Sequence, residues 1–209
     1  FNEAITWSFI SEKEAALFGG GSWVLDNPIS EDLKVMRPSL LPGLLSAVRR
    51  NLDRGASSVR LFELGRRYLA EGEFPSLVLV LAGDKGPRQW QTGKAQSFDA
   101  FDAKALCLDL LREAGAPVDN LQVMGEAGSF YHPGQSATLR LGPKQQIASF
   151  GMVHPAVLKA FDIGVPVAVA GIHLDAIPAR KATGFARAST ATPALPAVIP
   201  DFTFPGPED

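Results

Sequence analysis

The apolar and polar residues of this chain recur at spacings that mark out most of its elements. Ser76 to Gly83 is a continuous apolar run of strand length, the pattern of a central strand buried on both faces. Upstream, Ser58 to Leu64 sets Val59 and Leu61 against Arg60 and Phe62, a strand pattern in which Glu63 is an awkward charge. These two runs can form an antiparallel pair. Between them and the N-terminus lies an amphipathic helix reaching about Arg54. Its apolar stripe is Leu41, Leu44, Leu45, Val48 and Leu52, and Ser46, Arg49, Arg50 and Asp53 share the opposite face. Pro38 and Pro42 bracket the start of this helix, Ser39 is placed to cap it, and Gly55 stops it.

The remaining elements follow from the same rules. Ile5, Trp7 and Phe9 alternate with Thr6 and Ser8, which predicts a half-buried strand, and the Ser11 and Glu14 pair is a capping box opening a short helix that ends at Gly19. Trp23 to Asp26 reads as a short strand before the Asn27-Pro28 turn. Asp84 to Ser97 has no periodicity and reads as a loop, with the Trp90 ring expected to fold back over the core, the alternative being a partner contact. Asp102 is placed to cap a helix with a buried stripe of Ala103, Leu106, Cys107, Leu110, Leu111 and Ala114, closed by Gly115 and Pro117. From Gln135 two strand patterns are joined by a Gly142-Pro143 turn, a helix runs from Pro155 through Phe161, and Val167 to Leu174 is a further apolar strand. Strands and helices mix without strict alternation, so the expected fold is α+β, a mostly antiparallel sheet flanked by helices. Residues 1–192 read as one core domain. Residues 193–209 carry five prolines and no periodic pattern, as a tail would.

Composition narrows the function classes. A net charge of −2 and a pI near 6.0 give no global attraction to nucleic acid or an anionic membrane, so any RNA contact has to be local. The single Cys107 excludes an internal disulfide and lacks the companions of a cysteine zinc site. No apolar run approaches the roughly 20 residues that span a bilayer, and FNEAITWSFI has no basic segment ahead of an apolar one, unlike a signal peptide. The absence of an initiator Met suggests a piece of a longer chain.

Candidate chemistry is sparse. Gly19-Gly20-Gly21 lacks the Lys-Ser/Thr pair of a nucleotide-binding loop and follows a helix instead of preceding one. His132, His154 and His173 have no metal-ligand spacing. His132-Pro133-Gly134 and His154-Pro155 read as a turn and a helix start. No nucleophile elbow is present. Cys107, on an apolar stripe with no basic neighbour, reads as a core residue. Six arginines, Arg49, Arg50, Arg54, Arg60, Arg66 and Arg67, share one window with only Asp53 and Glu63, a local surplus of four positive charges. They form either a solvated helix face or a surface that steers an RNA.

The string NPIS…MRPSLLPGLL…N…R…LFELGRR resembles the beta subunit of bacterial phenylalanyl-tRNA synthetase, in its catalytic-like domain. FNEAITWSFIS, FDAFDAKALCLDLL, YHPGQSATLRLG and IASFGMVHPAVLKAFDI extend the resemblance in the family's order over roughly residues 1 to 175. LPAVIPDFTF in the tail looks like the opening of the ferredoxin-like anticodon-binding domain that follows in the family, although Ile199-Pro200-Asp201 stands where an Arg-Asp pair is usual.

The resemblance implies a class II aminoacyl-tRNA synthetase-like fold whose own active site is empty. Catalytic members bind ATP with an Arg in an F-R-x-E motif and a second Arg after a Gly-rich strand. Here Arg60-Leu61-Phe62-Glu63 has one residue too many, and Gly171-Ile172-His173-Leu174-Asp175 lacks both the glycines and the Arg. No catalytic, cofactor or metal residue is therefore assigned in this fragment. For the whole enzyme the resemblance implies ATP and magnesium, tRNA(Phe), a cytoplasmic location without membrane attachment, and assembly of two alpha and two beta chains. On this reading the fragment scaffolds the alpha subunit that charges tRNA(Phe) with phenylalanine. Leu40, Leu44 and Val48 are the candidate subunit interface, the alternative being that all three are private core. Arg49, Arg50 and Arg54 are the candidate tRNA-facing patch. The rival readings are an independent class II-like enzyme or ligand-binding domain with its own ATP or amino-acid pocket, and a stand-alone nucleic-acid-binding module.

Overall fold

The computed structural model of the chain describes residues 1–179 apart from 87, 92 and 126. The expected boundary at 192, the polar segment from Lys181 and the proline-rich tail lie outside the described residues.

Two strands open the chain, β1 (Asn2–Glu3) and β2 (Phe9–Ile10), followed by helix α1 (Glu12–Ala16) and strand β3 (Val35–Met36). Helix α2 (Leu41–Asp53) leads into a long hairpin of β4 (Ser58–Leu69) and β5 (Gly72–Gly86). Then come β6 (Gln96–Ser97), α3 (Ala100–Glu113), β7 (Gln122–Met124), β8 (Tyr131–Leu141), β9 (Gln145–Val153), α4 (Pro155–Ala160) and β10 (Val167–His173). The main sheet runs β1-β4-β5-β10-β9-β8-β7, with β6 added on β5. Only the β1–β4 pairing is parallel. The pairing of Ser58–Leu64 with Ser76–Gly83 occurs as expected, with Leu61 opposite Val80 and Glu63 opposite Val78, but both strands extend well beyond the apolar runs.

Strand alternation sends the two faces of this sheet to two different cores. On one face Val59, Leu61, Val78, Val80, Val167 and Val169 pack against Leu41, Leu44, Leu45 and Val48 of α2. On the other, Leu79, Leu81, Ala148, Phe150, Ala168 and Ala170 pack against Ala103, Cys107 and Leu111 of α3. The result is three layers, helix on sheet on helix. Each fully buried leucine contributes about 2 kcal/mol of transfer free energy, and Leu40, Leu41, Leu44 and Leu45 are all sealed from solvent at the α2 interface.

Local chemistry sets the helix ends. Ser11 and Glu14 form the expected reciprocal capping box. The cap of α3 is Asp99, three residues earlier than expected. Asp102 is the other half of that box, its carboxylate accepting from the Asp99 amide. Leu40 occupies the N-cap position of α2, and Ser39 still supplies a cap bond, its Oγ accepting from the Leu41 amide at 3.2 Å. His154 caps α4 through Nδ1, in line with its helix-start reading. His132-Pro133-Gly134, expected as a turn, lies instead within β8, where the pairing with β9 shifts register between Tyr131 and Ser136 and His132 Nδ1 accepts from the Gly134 amide.

Four expectations fail, the first because local alternation cannot report whether a neighbouring strand exists. Ile5 and Trp7 are not in a half-buried strand. They are 90% and 77% exposed in the connection between β1 and β2. Trp90 is likewise 90% exposed and does not fold over the core. Trp23 to Asp26 contributes only an isolated bridge, Val24 to Val35, while the 84–97 stretch expected to be all loop carries the end of β5 and the short β6.

Thr6 faces inward between Ile5 and Trp7 and presses on α2 at Gly43. A Cβ at position 43 would lie 2.1 Å from Thr6 Oγ1 and 2.5 Å from Thr6 Cβ. Gly43→Ala, which in an open helix gains about 1 kcal/mol, is therefore expected to destabilise the chain by about 1–3 kcal/mol through overpacking. Urea denaturation checks this, and a neutral or stabilising result would mean that Thr6 is not held against the helix.

Candidate functional site

Glu63, the charge that looked out of place in its strand, is 2% exposed and is paired with Arg37, itself 4% exposed, at 2.7 Å between Nη1 and Oε1. Thr6 completes the cluster: its Oγ1 donates to Glu63 Oε2 at 2.8 Å, its amide donates to Oε1 at 3.2 Å, and Arg37 Nη1 donates to Thr6 Oγ1 at 2.9 Å. Arg37 Nε donates to the Arg66 carbonyl at 3.1 Å. Every member is hydrogen-bonded, as a buried charge pair requires. Gly65 makes the necessary room, since a Cβ there would lie 2.7 Å from Arg37 Nη2. Arg37 was not singled out by sequence. The signal available was indirect: an isolated Glu on a buried strand face demands a cation from elsewhere in the chain.

Past Glu63 the α2 face of the sheet turns polar. Gly65 is opposite Ser76, and Ser76 is opposite His173 on its other side. Arg67 lies two residues beyond Gly65, and Ser149 faces Gly171 on β10. Ser149 Oγ and Tyr131 Oη share a hydrogen bond at 3.0 Å, and burial holds the Tyr131 phenol well above its ordinary pKa. Burial, reinforced by the Arg67 charge and opposed by Asp175, pushes the His173 pKa down to about 4. Arg67, Ser76, Tyr131, Ser149, Gly171 and His173 line a cavity of about 280 Å³ whose apolar wall includes Phe18, Leu40, Leu41 and Val78.

The residues expected to carry function separate into three places. Leu40, Leu44 and Val48 are each 0% exposed in the chain's own core. This burial favours the private-core alternative over direct subunit contact, for α2 turns its apolar stripe to the sheet. What α2 offers outward is Ser46, Arg49, Arg50 and Asp53, beside exposed Ile5 and Trp7, along a groove of about 620 Å³. Within the basic patch, Arg49 is engaged by Asp53 at 3.4 Å and by Asp162 at 3.0 Å, whereas Arg50 and Arg54 are exposed without an ion pair among the described residues. Arg66 pairs with Glu73 and Arg67 with Asp175 on the hairpin, so the six-arginine window is not one surface.

Strand geometry also settles the Arg-Leu-Phe-Glu string. Residues three apart on a strand face opposite ways. Glu63 is therefore buried under α2, while Arg60 lies on the α3 side, its Nη2 donating to the Lys85 carbonyl at 2.7 Å and its guanidinium 5.0 Å from the Phe98 ring. Two residues before Glu63, on its own face, stands buried Leu61. Cys107 is sealed in the α3 core, and burial pushes its thiol up to about 12. Among the described residues no group of acidic, histidine or cysteine side chains is placed to hold a metal, and no helix is long and apolar enough to cross a membrane.

The three-layer fold is a class II aminoacyl-tRNA synthetase fold. Two structures of pyrrolysyl-tRNA synthetase from Desulfitobacterium hafniense share it at TM-scores of 0.60 and 0.59 over 84% of this chain, covering 61% and 60% of those chains at 21% identity. Within that class the sequence is specific. Residues 1–174 match the family described as the phenylalanyl tRNA synthetase beta chain CLM domain, and the chain belongs to that family. It is similar to phenylalanine–tRNA ligase beta subunits of Novosphingobium aromaticivorans (66% identical over 97% of the chain) and Zymomonas mobilis (56% identical over its full length). It spans 26% of the length of each.

His173 gives the site a pH signature. The folded chain leaves it neutral down to about pH 4, whereas the unfolded histidine takes its proton near 6.5. Between those values the unfolded state binds more protons, so stability present above 6.5 is lost as pH falls toward 4. Going from about pH 7 to about pH 5, the unfolding free energy should drop by about 2 kcal/mol more in the wild type than in His173→Gln. Equal drops in urea titrations would show that His173 is not desolvated.

Proposed function

We propose that this chain is the non-catalytic, synthetase-like core of a phenylalanine–tRNA ligase beta subunit, and that it scaffolds assembly with the alpha subunit, which charges tRNA(Phe) with phenylalanine using ATP and magnesium. The observation that carries the proposal is the 66% identity, over nearly the whole chain, to a protein named as that subunit. The geometry supports the non-catalytic part. Where an F-R-x-E strand sets its Arg and Glu on one face, this strand has Leu61 on Glu63's face, and Glu63 is fully occupied by Arg37 and Thr6. A triphosphate at that position would meet Leu61 in place of a cation.

The partner surface on this reading is the outer side of α2 with Ile5 and Trp7. Large exposed apolar side chains next to a polar helix face are what a partner covers. The assembly is two alpha and two beta chains in the cytoplasm, and Arg50 and Arg54 are the cations that face tRNA.

Co-expression with the alpha subunit, followed by size-exclusion chromatography with mass measurement at the peak, tests this. The longer protein carrying this chain should elute as the four-chain complex, and Ile5→Asp with Trp7→Ser should release free subunits while leaving the thermal midpoint of the beta chain unchanged. An intact complex in the double variant would move the interface elsewhere, and failure of the wild type to co-elute would end the scaffold reading. In the same complex, Arg50→Glu with Arg54→Glu should weaken tRNA binding and flatten its salt dependence. Unchanged tRNA affinity would leave these arginines as a solvated helix face.

A further inference from the structure

The cavity on the polar half of the sheet contains two buried polar atoms with no hydrogen-bond partner among the described residues: Arg67 Nε and Ser76 Oγ. Ser76 is 4% exposed. Leaving such groups unpaired forfeits their hydration without replacing it, so a folded protein keeps them only with a use or an occupant. The other polar groups in the cavity do not share this condition. Tyr131 and Ser149 satisfy one another, and Glu63 nearby is saturated by Arg37 and Thr6.

The two free donors lie on one face of the sheet and line one cavity. Ser76 is opposite Gly65 and Arg67 is two residues further on the same face of β4, a diagonal cross-strand relation that a long side chain spans. The far end of the Arg67 guanidinium is held by Asp175, with Nη2 to Oδ1 at 3.6 Å, and the group lies 5.4 Å from the Phe74 ring. It is thus positioned with Nε unused. The apolar part of the lining is Phe18, Leu40, Leu41 and Val78. The floor between them is open at Gly171, where an added Cβ would find nothing closer than 3.6 Å. At about 280 Å³ the space lies near the lower end of the roughly 300–1,000 Å³ of small-molecule sites, which restricts the occupant to a short body.

We propose that this cavity binds a small monocarboxylic acid with a short apolar body, its carboxylate accepting hydrogen bonds from Arg67 Nε and Ser76 Oγ and its body lying along Leu40, Leu41 and Val78. The site needs no ATP and no second arginine, and it stands independently of the assembly reading. A carboxylate is the acceptor that fits because an ionised acceptor forms hydrogen bonds about twice as strong as a neutral one, and Arg67 supplies a charged donor.

The test is calorimetric titration of the intact protein carrying this chain with 4-methylpentanoate, with 4-methylpentanamide as the neutral isostere. The proposal predicts saturable binding, one molecule per chain, with a Kd of about 1 mM, in keeping with so few atoms. The amide and the Arg67→Gln variant should each bind at least about tenfold more weakly. Gly171→Ala, whose methyl enters the floor without a clash, should keep the wild-type thermal midpoint and still weaken binding severalfold, which guards the test should Arg67→Gln fail to fold. The absence of saturable heat, equal affinity for the amide, or undiminished affinity in Gly171→Ala would each overturn the proposal.

Discussion

The structure depends on one buried ion pair. Arg37 precedes α2, Glu63 lies mid-strand in β4, and Thr6 comes from the N-terminal connection, so three stretches distant in sequence meet at one fully bonded charge cluster. Such a pair is not a large source of net stability, because desolvation takes back most of what attraction gives. Removing one partner, by contrast, strands a buried charge at a cost of about 3–5 kcal/mol. Its effect is therefore to fix register. With Glu63 inward, Leu61 and Val59 must also face α2, and the alternation carries across β5 and β10 to define both cores. The glycines at 43 and 65 are the local concessions that let Thr6 and Arg37 approach.

The same register divides the α2 face of the sheet into two halves. Toward the Val59 end it is apolar and sealed by the helix. Toward the Arg67 end it is polar, and only Leu40 and Leu41, at the start of the helix, reach its edge, leaving the cavity. A class II fold with its sheet face split in this way, and with its Arg-Leu-Phe-Glu arginine turned to the opposite layer, keeps the architecture of a synthetase while presenting different chemistry. The apolar stripe of α2 is consumed by the sheet, while the outer surface of α2 stays open beside the exposed Ile5 and Trp7.

Much of this was legible in the sequence. The stripe of α2, the central run 76–83, the Ser11 box and the α3 stripe gave helices, strands and their partners, because each is a local periodicity. Glu63 was legible as an anomaly but not as a solution, since nothing local to Arg37 says that it reaches 26 residues along the chain to a carboxylate. The stripe also could not say whether Leu40, Leu44 and Val48 serve a core or a partner. That depends on how much sheet lies beneath the helix, a tertiary quantity. Ile5, Trp7 and Trp90 misled in the opposite direction, as large apolar residues look like core until the neighbouring elements are in place. The cavity was invisible, because its polar lining comes from five strands whose pairing fixes which side chains meet.

The most direct measurement of the central claim is amide hydrogen exchange at Thr6. Its N–H donates to Glu63 Oε1, although the residues on either side of it, Ile5 and Trp7, are open to solvent. If the buried pair anchors the N-terminal connection, Thr6 exchanges only with global opening, as slowly as amides in β5 and β10, while Trp7 exchanges freely. If Thr6 exchanges as fast as Trp7, the connection is not held by Glu63, and the account of how the charge cluster organises this fold is contradicted.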